Sequence, residues 1–182
     1  SELNEHFTEQ ALMKFRLYVE IKYLIILSKH REIKKLVSLN KKDQQKLEKI
    51  YSNFDQKEYN EIKRIEARTK HDVNAVVQYL SKKIEKNVSG ALVPWVHFGL
   101  TSEDINNTAY SLMIKGAVQS SLLKNLKELS GALKKLVSQN KDFPIMALTH
   151  GQPATTTSLG KEMAVFHVRL SRQIEQLKKR DL

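Results

Sequence analysis

No cysteine occurs among the 182 residues, which excludes disulfides and thiolate-bound metals and fits a reducing compartment. Glycine and proline are scarce, at six and three, while Leu, Lys, Glu, Ile and Ala abound, so little interrupts helix formation. Long apolar runs are missing as well. The densest, Tyr23 to Leu27, falls far short of the roughly 20 residues that span a bilayer, and the amino terminus lacks a signal-peptide pattern. These absences predict an all-α, soluble, cytoplasmic protein that does not engage a membrane. No HExxH or carboxylate cluster indicates a metal, and no GxGxxG or Walker-type loop occurs either.

What is abundant is positive charge, a net +11, which suits nucleic acid, an acidic surface or a polyanionic small molecule. The basic residues (Lys34, Lys35, Lys41, Lys42, Lys82, Lys83, Lys134, Lys135, Lys178, Lys179, Arg180) are spread through helical sequence with acids between them. Such interleaving reads as solvated helix faces. A nucleic-acid groove would add stacking aromatics or a compact basic stripe, so no nucleic-acid partner is expected, with a basic helical nucleic-acid-binding module as the alternative reading.

From Phe7 to Leu27 apolar residues crowd more than one face, the mark of a helix buried among neighbours. A short helix over Glu32 to Leu39 is expected next, then one capped by Asp43 with Leu47, Ile50, Tyr51 and Phe54 on its inner face. Tyr59, Ile62 and Ile65 continue after a break at Asp55. Thr69-Lys70-His71-Asp72 has capping-box spacing, with Thr69 as the expected cap, before the stripe Val73, Val76, Val77, Leu80 and Ile84. The loop-forming stretch Asn87 to Trp95, with Ser89-Gly90 and Pro94, suggests a boundary between an amino-terminal helical domain at 1–92 and the opening of a second domain at 93–182. Thr101-Ser102-Glu103-Asp104 repeats the capping spacing. Leu122, Leu126, Leu129, Leu133 and Leu136 then alternate steps of four and three, a bundle or coiled-coil seam that Phe143-Pro144 ends. A last helix carries Met163, Phe166, Leu170, Ile174 and Leu177 and is still in phase where the sequence stops.

Chemistry concentrates in three polar stretches that precede or open predicted helices: Thr69 to Asp72, Thr101 to Asp104, and Thr149 to Pro153. Helix starts present free N–H groups and partial positive charge, which suit phosphate and carboxylate. The first two stretches also read as plain caps. His150 stands apart: Gly151 permits unusual backbone angles beside it, Gln152 can donate and accept, and Pro153 is placed to open the next helix. An imidazole at such a corner can serve as general acid or base near neutral pH. His6, His30, His97 and His167 lack such surroundings and are assigned to surface or packing roles.

Taken together, KHDV at 70–73, HFGLTSEDINN at 97–107 and THGQPATTTSLGKEM at 149–163, with FRLYVEIK at 15–22 upstream, resemble the adenylosuccinate lyases of the fumarase/aspartase superfamily. Their order and spacing match, and KHDV and TSEDINN argue against a sibling such as argininosuccinate lyase or a cycloisomerase. The resemblance implies elimination of fumarate from adenylosuccinate to leave AMP, and from the succinyl-carboxamide ribotide SAICAR to leave AICAR, with no cofactor. It makes His150 the general acid, with Thr149 and Gln152 on the succinyl part. Lys70, His71 and Asp72 would bind substrate, with His71 near the phosphate or assisting catalysis through charge balance. Thr101 and Ser102 would hold a carboxylate or phosphate.

The resemblance also implies a homotetramer whose sites combine segments from three subunits, and a central helical bundle of which 93–182 would be the truncated opening. The family's catalytic serine loop, of SSxMPxKxNP type, has no match in these residues, nor does its arginine-tyrosine phosphate pair. Leu148 stands where arginine is common, and Thr156 where proline is. A fragment inactive on its own is the expectation.

Overall fold

The computed structural model describes residues 2–33 and 35–180; Lys34, expected on a solvated face, lies outside them. Among the described residues the chain is mostly helical, with one small hairpin. In order it runs α1 (Asn4–Phe7), α2 (Glu9–Leu27), α3 (Lys41–Ser52), α4 (Gln56–Thr69), α5 (Asp72–Asn87), a 3₁₀ turn (Gly90–Trp95), α6 (Ser102–Ala117), a π turn (Val118–Leu122), α7 (Leu123–Gln139), β1 (Pro144–Thr149), β2 (Gln152–Ser158) and α8 (Leu159–Lys178). Among the described residues no helix is long and apolar enough to cross a membrane. Two compact units form, Ser1–Ile114 and Lys115–Leu182. The division expected near residue 92 falls inside the first.

The first unit is built around α2. Met13, Leu17, Ile21 and Leu24 are buried with Leu47 of α3, Ile62 and Ile65 of α4, and Val76, Tyr79, Leu80 and Ile84 of α5. Each fully buried side chain of this size contributes roughly 1.5–3 kcal/mol relative to exposure, which explains why three amphipathic helices close on one apolar one. Charge pairs rim this core: Lys63 meets Glu9 and Glu66, and Lys83 meets Glu58 and Glu61. The acids written between the lysines thus answer part of the positive charge locally.

Three local expectations are corrected. The cap of α3 is Asn40, whose side chain accepts the Asp43 N–H, so Asp43 is the capped residue and not the cap. Among the described residues of Glu32 to Leu39, no helix forms. Ile33, Leu36 and Leu39 recur at steps of three, and the Ile33 and Leu36 N–H groups reach back to His30 and Ile33 in single 3₁₀-type turns that anchor the segment without α geometry. Between α4 and α5, Thr69 ends the first helix, Lys70 takes a left-handed conformation (φ 53°), and His71 caps the second.

In the second unit α7 and α8 pair as a helical hairpin, joined by β1 and β2. The expected leucine seam is divided. Leu126 and Leu133 are half-buried, whereas Leu122, Leu129 and Leu136 are exposed. Ser130 bonds His167 across the pair at 3.1 Å. The last helix stops at Lys178, where the basic run 178–180 replaces its apolar stripe.

Gly160 fixes the closest approach in this unit. Its N–H donates to the Asn140 carbonyl, and a Cβ there would lie 2.6 Å from the Lys141 Cα and 2.7 Å from the Val137 carbonyl oxygen. Because backbone cannot swing aside as a side chain can, Gly160→Ala should destabilise the second unit by about 1–3 kcal/mol, the range for overpacking. Denaturant unfolding followed on that unit checks this; an unchanged midpoint would contradict the packing described.

Candidate functional site

The predicted residues fall into two groups, one in each unit. In the first unit Lys70 is the exposed left-handed residue that ends α4, and His71 is the cap of α5. The His71 Nδ1 accepts the Asn74 N–H at 3.2 Å, which leaves the proton of a neutral ring on Nε2. Capping by the imidazole itself replaces the expected Thr69 cap, because Thr69 is still helical and its hydroxyl bonds the His71 backbone instead.

Asp72 opens α5 with both carboxylate oxygens engaged. One takes the Val73 N–H at 2.8 Å and the other a guanidinium N–H of Arg16 at 2.6 Å. Partial burial opposes ionisation of Asp72, but these two donors outweigh it and hold the carboxyl below the usual carboxylate range.

Thr101 and Ser102 stand at the start of α6. The Thr101 N–H donates to the Asp104 carboxylate at 2.8 Å, so the acidic third residue closes the helix start as the spacing predicted. One turn on, Asn106 is buried and accepts from Arg16 Nε at 2.9 Å, while its own amide donates to Glu103 at 2.9 Å. The two motif segments of this unit therefore meet at one side chain. Arg16, itself 3% exposed, reaches both Asp72 and Asn106.

His97 was assigned to a surface or packing role, and the structure gives it a more specific one. Its Nδ1 lies 2.5 Å from the Glu20 carboxylate, and its backbone is left-handed at φ 60°. Glu20 is 1% exposed. Burial pushes its carboxyl above the usual range, and the imidazole opposes that shift without cancelling it. Tyr23 then donates to the Phe98 carbonyl at 2.8 Å. Arg16, Glu20 and Tyr23 sit at i, i+4 and i+7, one line along α2 that grips the segment before and into α6. That polar line inside an apolar helix was the available signal.

In the second unit Thr149, His150 and Gln152 occupy a β-hairpin and not a helix start. Thr149 pairs with Gln152, and His150 (φ 53°) and Gly151 (φ 75°) form the two-residue turn between them. Two successive positive φ angles mark a type I′ turn, whose twist matches paired strands. Pro153 pairs with Leu148 inside the hairpin, so it does not open the next helix; Ser158 caps that helix by accepting the Lys161 N–H. The β-branched run Thr155 to Thr157 prefers strand, and a bulge between Met146 and Leu148 opposes Ala147 with the extra residue of β2. His150 is exposed at the tip. The corner there is a hairpin turn and not the helix start that was expected.

A separate open groove of about 700 Å³ is lined by His6, Lys14, Phe15, Tyr18, Tyr51 and Phe54 among others, and none of the predicted site residues borders it.

A model of the family described as Lyase matches residues 1–181. The chain belongs to that lyase family. Adenylosuccinate lyase of Dictyostelium discoideum is 45% identical over 179 residues, covering 96% of this chain and 38% of that protein. Adenylosuccinate lyase of Escherichia coli (strain K12) is 39% identical over 178 residues, with 97% and 39% coverage. This lyase sequence therefore spans about two fifths of the length of the curated relatives it matches. Two solved structures share the fold at low identity: a fumarate lyase from Mesorhizobium sp. BNC1 (TM-score 0.74, 19% identical, 97% of this chain and 39% of that one), and a 3-carboxy-cis,cis-muconate lactonizing enzyme from Pseudomonas putida (TM-score 0.73, 20% identical, 97% and 38%).

The ion pairs of the first unit set its acid sensitivity. Asp72 and Glu58 are both held below the usual carboxylate range, Glu58 by Lys83 and Tyr79 against an opposing burial effect. A depressed folded value contributes stability above the unfolded value and loses it as pH falls through the folded one. The first unit should therefore weaken as pH drops below about 4, and Asp72→Asn should flatten part of that slope. Chemical unfolding at a series of pH values tests it; an Asp72→Asn slope equal to wild type would contradict the Asp72 contribution.

Proposed function

We propose that the whole protein to which this sequence belongs is an adenylosuccinate lyase, releasing fumarate from adenylosuccinate to give AMP and from SAICAR to give AICAR. The similarity to curated adenylosuccinate lyases over nearly the whole chain carries the reading, because it includes all three polar motif segments.

The chemistry needs a base for a weakly acidic proton beside a carboxylate, an acid for the departing nitrogen, and fixed donors for the doubly anionic intermediate. His150 at the hairpin tip is the proposed acid, with Thr149 and Gln152 on the succinyl portion. Two strands hold that tip, which supports a defined imidazole position. Lys70, His71 and Asp72 at the start of α5, and Thr101 and Ser102 at the start of α6, are proposed to bind the polyanion. Its phosphate alone carries about −1.5 to −2 charges, and both helix starts favour anions. His71 would lie near the phosphate or balance charge during catalysis. No cofactor takes part in this scheme.

The base would come from a serine loop that these 182 residues do not contain, so this sequence alone should release no fumarate. A homotetramer with sites shared between subunits is proposed for the whole protein, in the cytoplasm, with residues 1–92 as its amino-terminal domain and 93–182 as the start of its central bundle. Exposed Leu129, Leu136 and Phe166 on α7 and α8 support an assembly that would cover them.

His150→Asn isolates the acid from the turn, because asparagine favours the left-handed conformation that His150 adopts. In the whole protein it should lower turnover of adenylosuccinate by at least roughly a hundredfold without loss of thermal stability. Turnover near wild type would remove His150 from the mechanism.

A further inference from the structure

We infer that Arg16 is a positioning residue for the substrate site, holding the start of α5 and the start of α6 in one fixed relation. The inference rests on the reading of those helix starts as substrate-binding segments. Its physical basis is independent of that reading.

Arg16 comes from the middle of the first helical hydrophobic stretch, yet its side chain is buried and reaches residues 56 and 90 positions further on. One guanidinium N–H goes to Asp72 at 2.6 Å and Nε–H goes to Asn106 at 2.9 Å. Asn106 in turn donates to Glu103 at 2.9 Å, and Glu103 also accepts from Asn107 at 3.3 Å. Asp72 follows Lys70 and His71 directly, and Asn106 lies one turn beyond Thr101 and Ser102. A displacement of either segment must therefore stretch a bond to the same rigid fork.

Fold stability alone gives little reason for this arrangement. An ion pair with one partner half-exposed contributes modestly, because solvent screens the attraction while burying the guanidinium costs desolvation. What a guanidinium adds is geometry: its planar donors fix the angle between two acceptors, which a lysine ammonium on a flexible stem cannot do. The neighbouring grips, Glu20 on His97 and Tyr23 on the Phe98 carbonyl, extend the same line of α2 and hold the approach to α6.

The test uses Arg16→Lys and Asn106→Ala in the whole protein, with kcat and KM measured on adenylosuccinate per folded site. It adds hydrogen exchange over 72–75 and 103–107. Arg16→Lys should lower kcat/KM roughly ten- to a hundredfold, as expected for misplacement of about 1 Å. Exchange should quicken in both segments while the buried parts of α2 and α4 stay protected. Asn106→Ala leaves the Arg16–Asp72 pair in place and reports the same coupling if Arg16→Lys fails to fold. The double variant should be no worse than the poorer single one.

Wild-type kinetics in either variant, or loss of protection spread evenly through the first unit, would overturn the proposal. Should the wild-type protein not act on adenylosuccinate, the functional reading fails. The exchange measurement then decides the positioning role alone: loosening of both segments sustains it, and loosening of one or neither overturns it.

Discussion

A buried guanidinium bonded to two distant segments is the constraint on which the first unit depends. Arg16 sits in a helix whose other buried residues, Glu20 apart, are apolar, so its charge must be answered inside the protein. Asp72 and Asn106 answer it, and by doing so they fix where α5 and α6 begin. Hydrophobic burial along α2 decides that the helices pack; the polar line of Arg16, Glu20 and Tyr23 decides which loop ends lie where. The motif segments at 70–72 and 97–106 are thus tied to the core by side chains and not only by chain connectivity.

Much of this was legible. Low glycine and proline content with three- and four-residue apolar spacing pointed to helices, and the closing of α6 by Asp104 followed from its spacing. Failures came where two physical preferences competed. At Thr69 the capping-box pattern lost to a helix that ran one turn further and ended on a left-handed Lys70, which handed the cap to His71. Over Glu32 to Leu39 a short helix was expected, whereas Ile33 and Leu36 close single turns.

The hairpin is the instructive miss. Pro153 suggested a helix start, but Gly151 beside His150 and three consecutive threonines were stronger signals for a tight turn between strands. The difference changes the chemistry expected of His150. At a helix start it would sit in the field of free N–H groups; at a hairpin tip it is held by backbone pairing alone and is exposed. His97 was passed over because its partner, Glu20, lies 77 residues away, and no local pattern announces a contact of that range.

Membership in the lyase family leaves the substrate to be decided, and product analysis decides it most directly. The whole protein would be offered adenylosuccinate and argininosuccinate in parallel, with fumarate and the nitrogen-containing product quantified by mass spectrometry. The account predicts fumarate and AMP in equal amounts from adenylosuccinate and neither fumarate nor arginine from argininosuccinate. Fumarate from argininosuccinate with none from adenylosuccinate would contradict it.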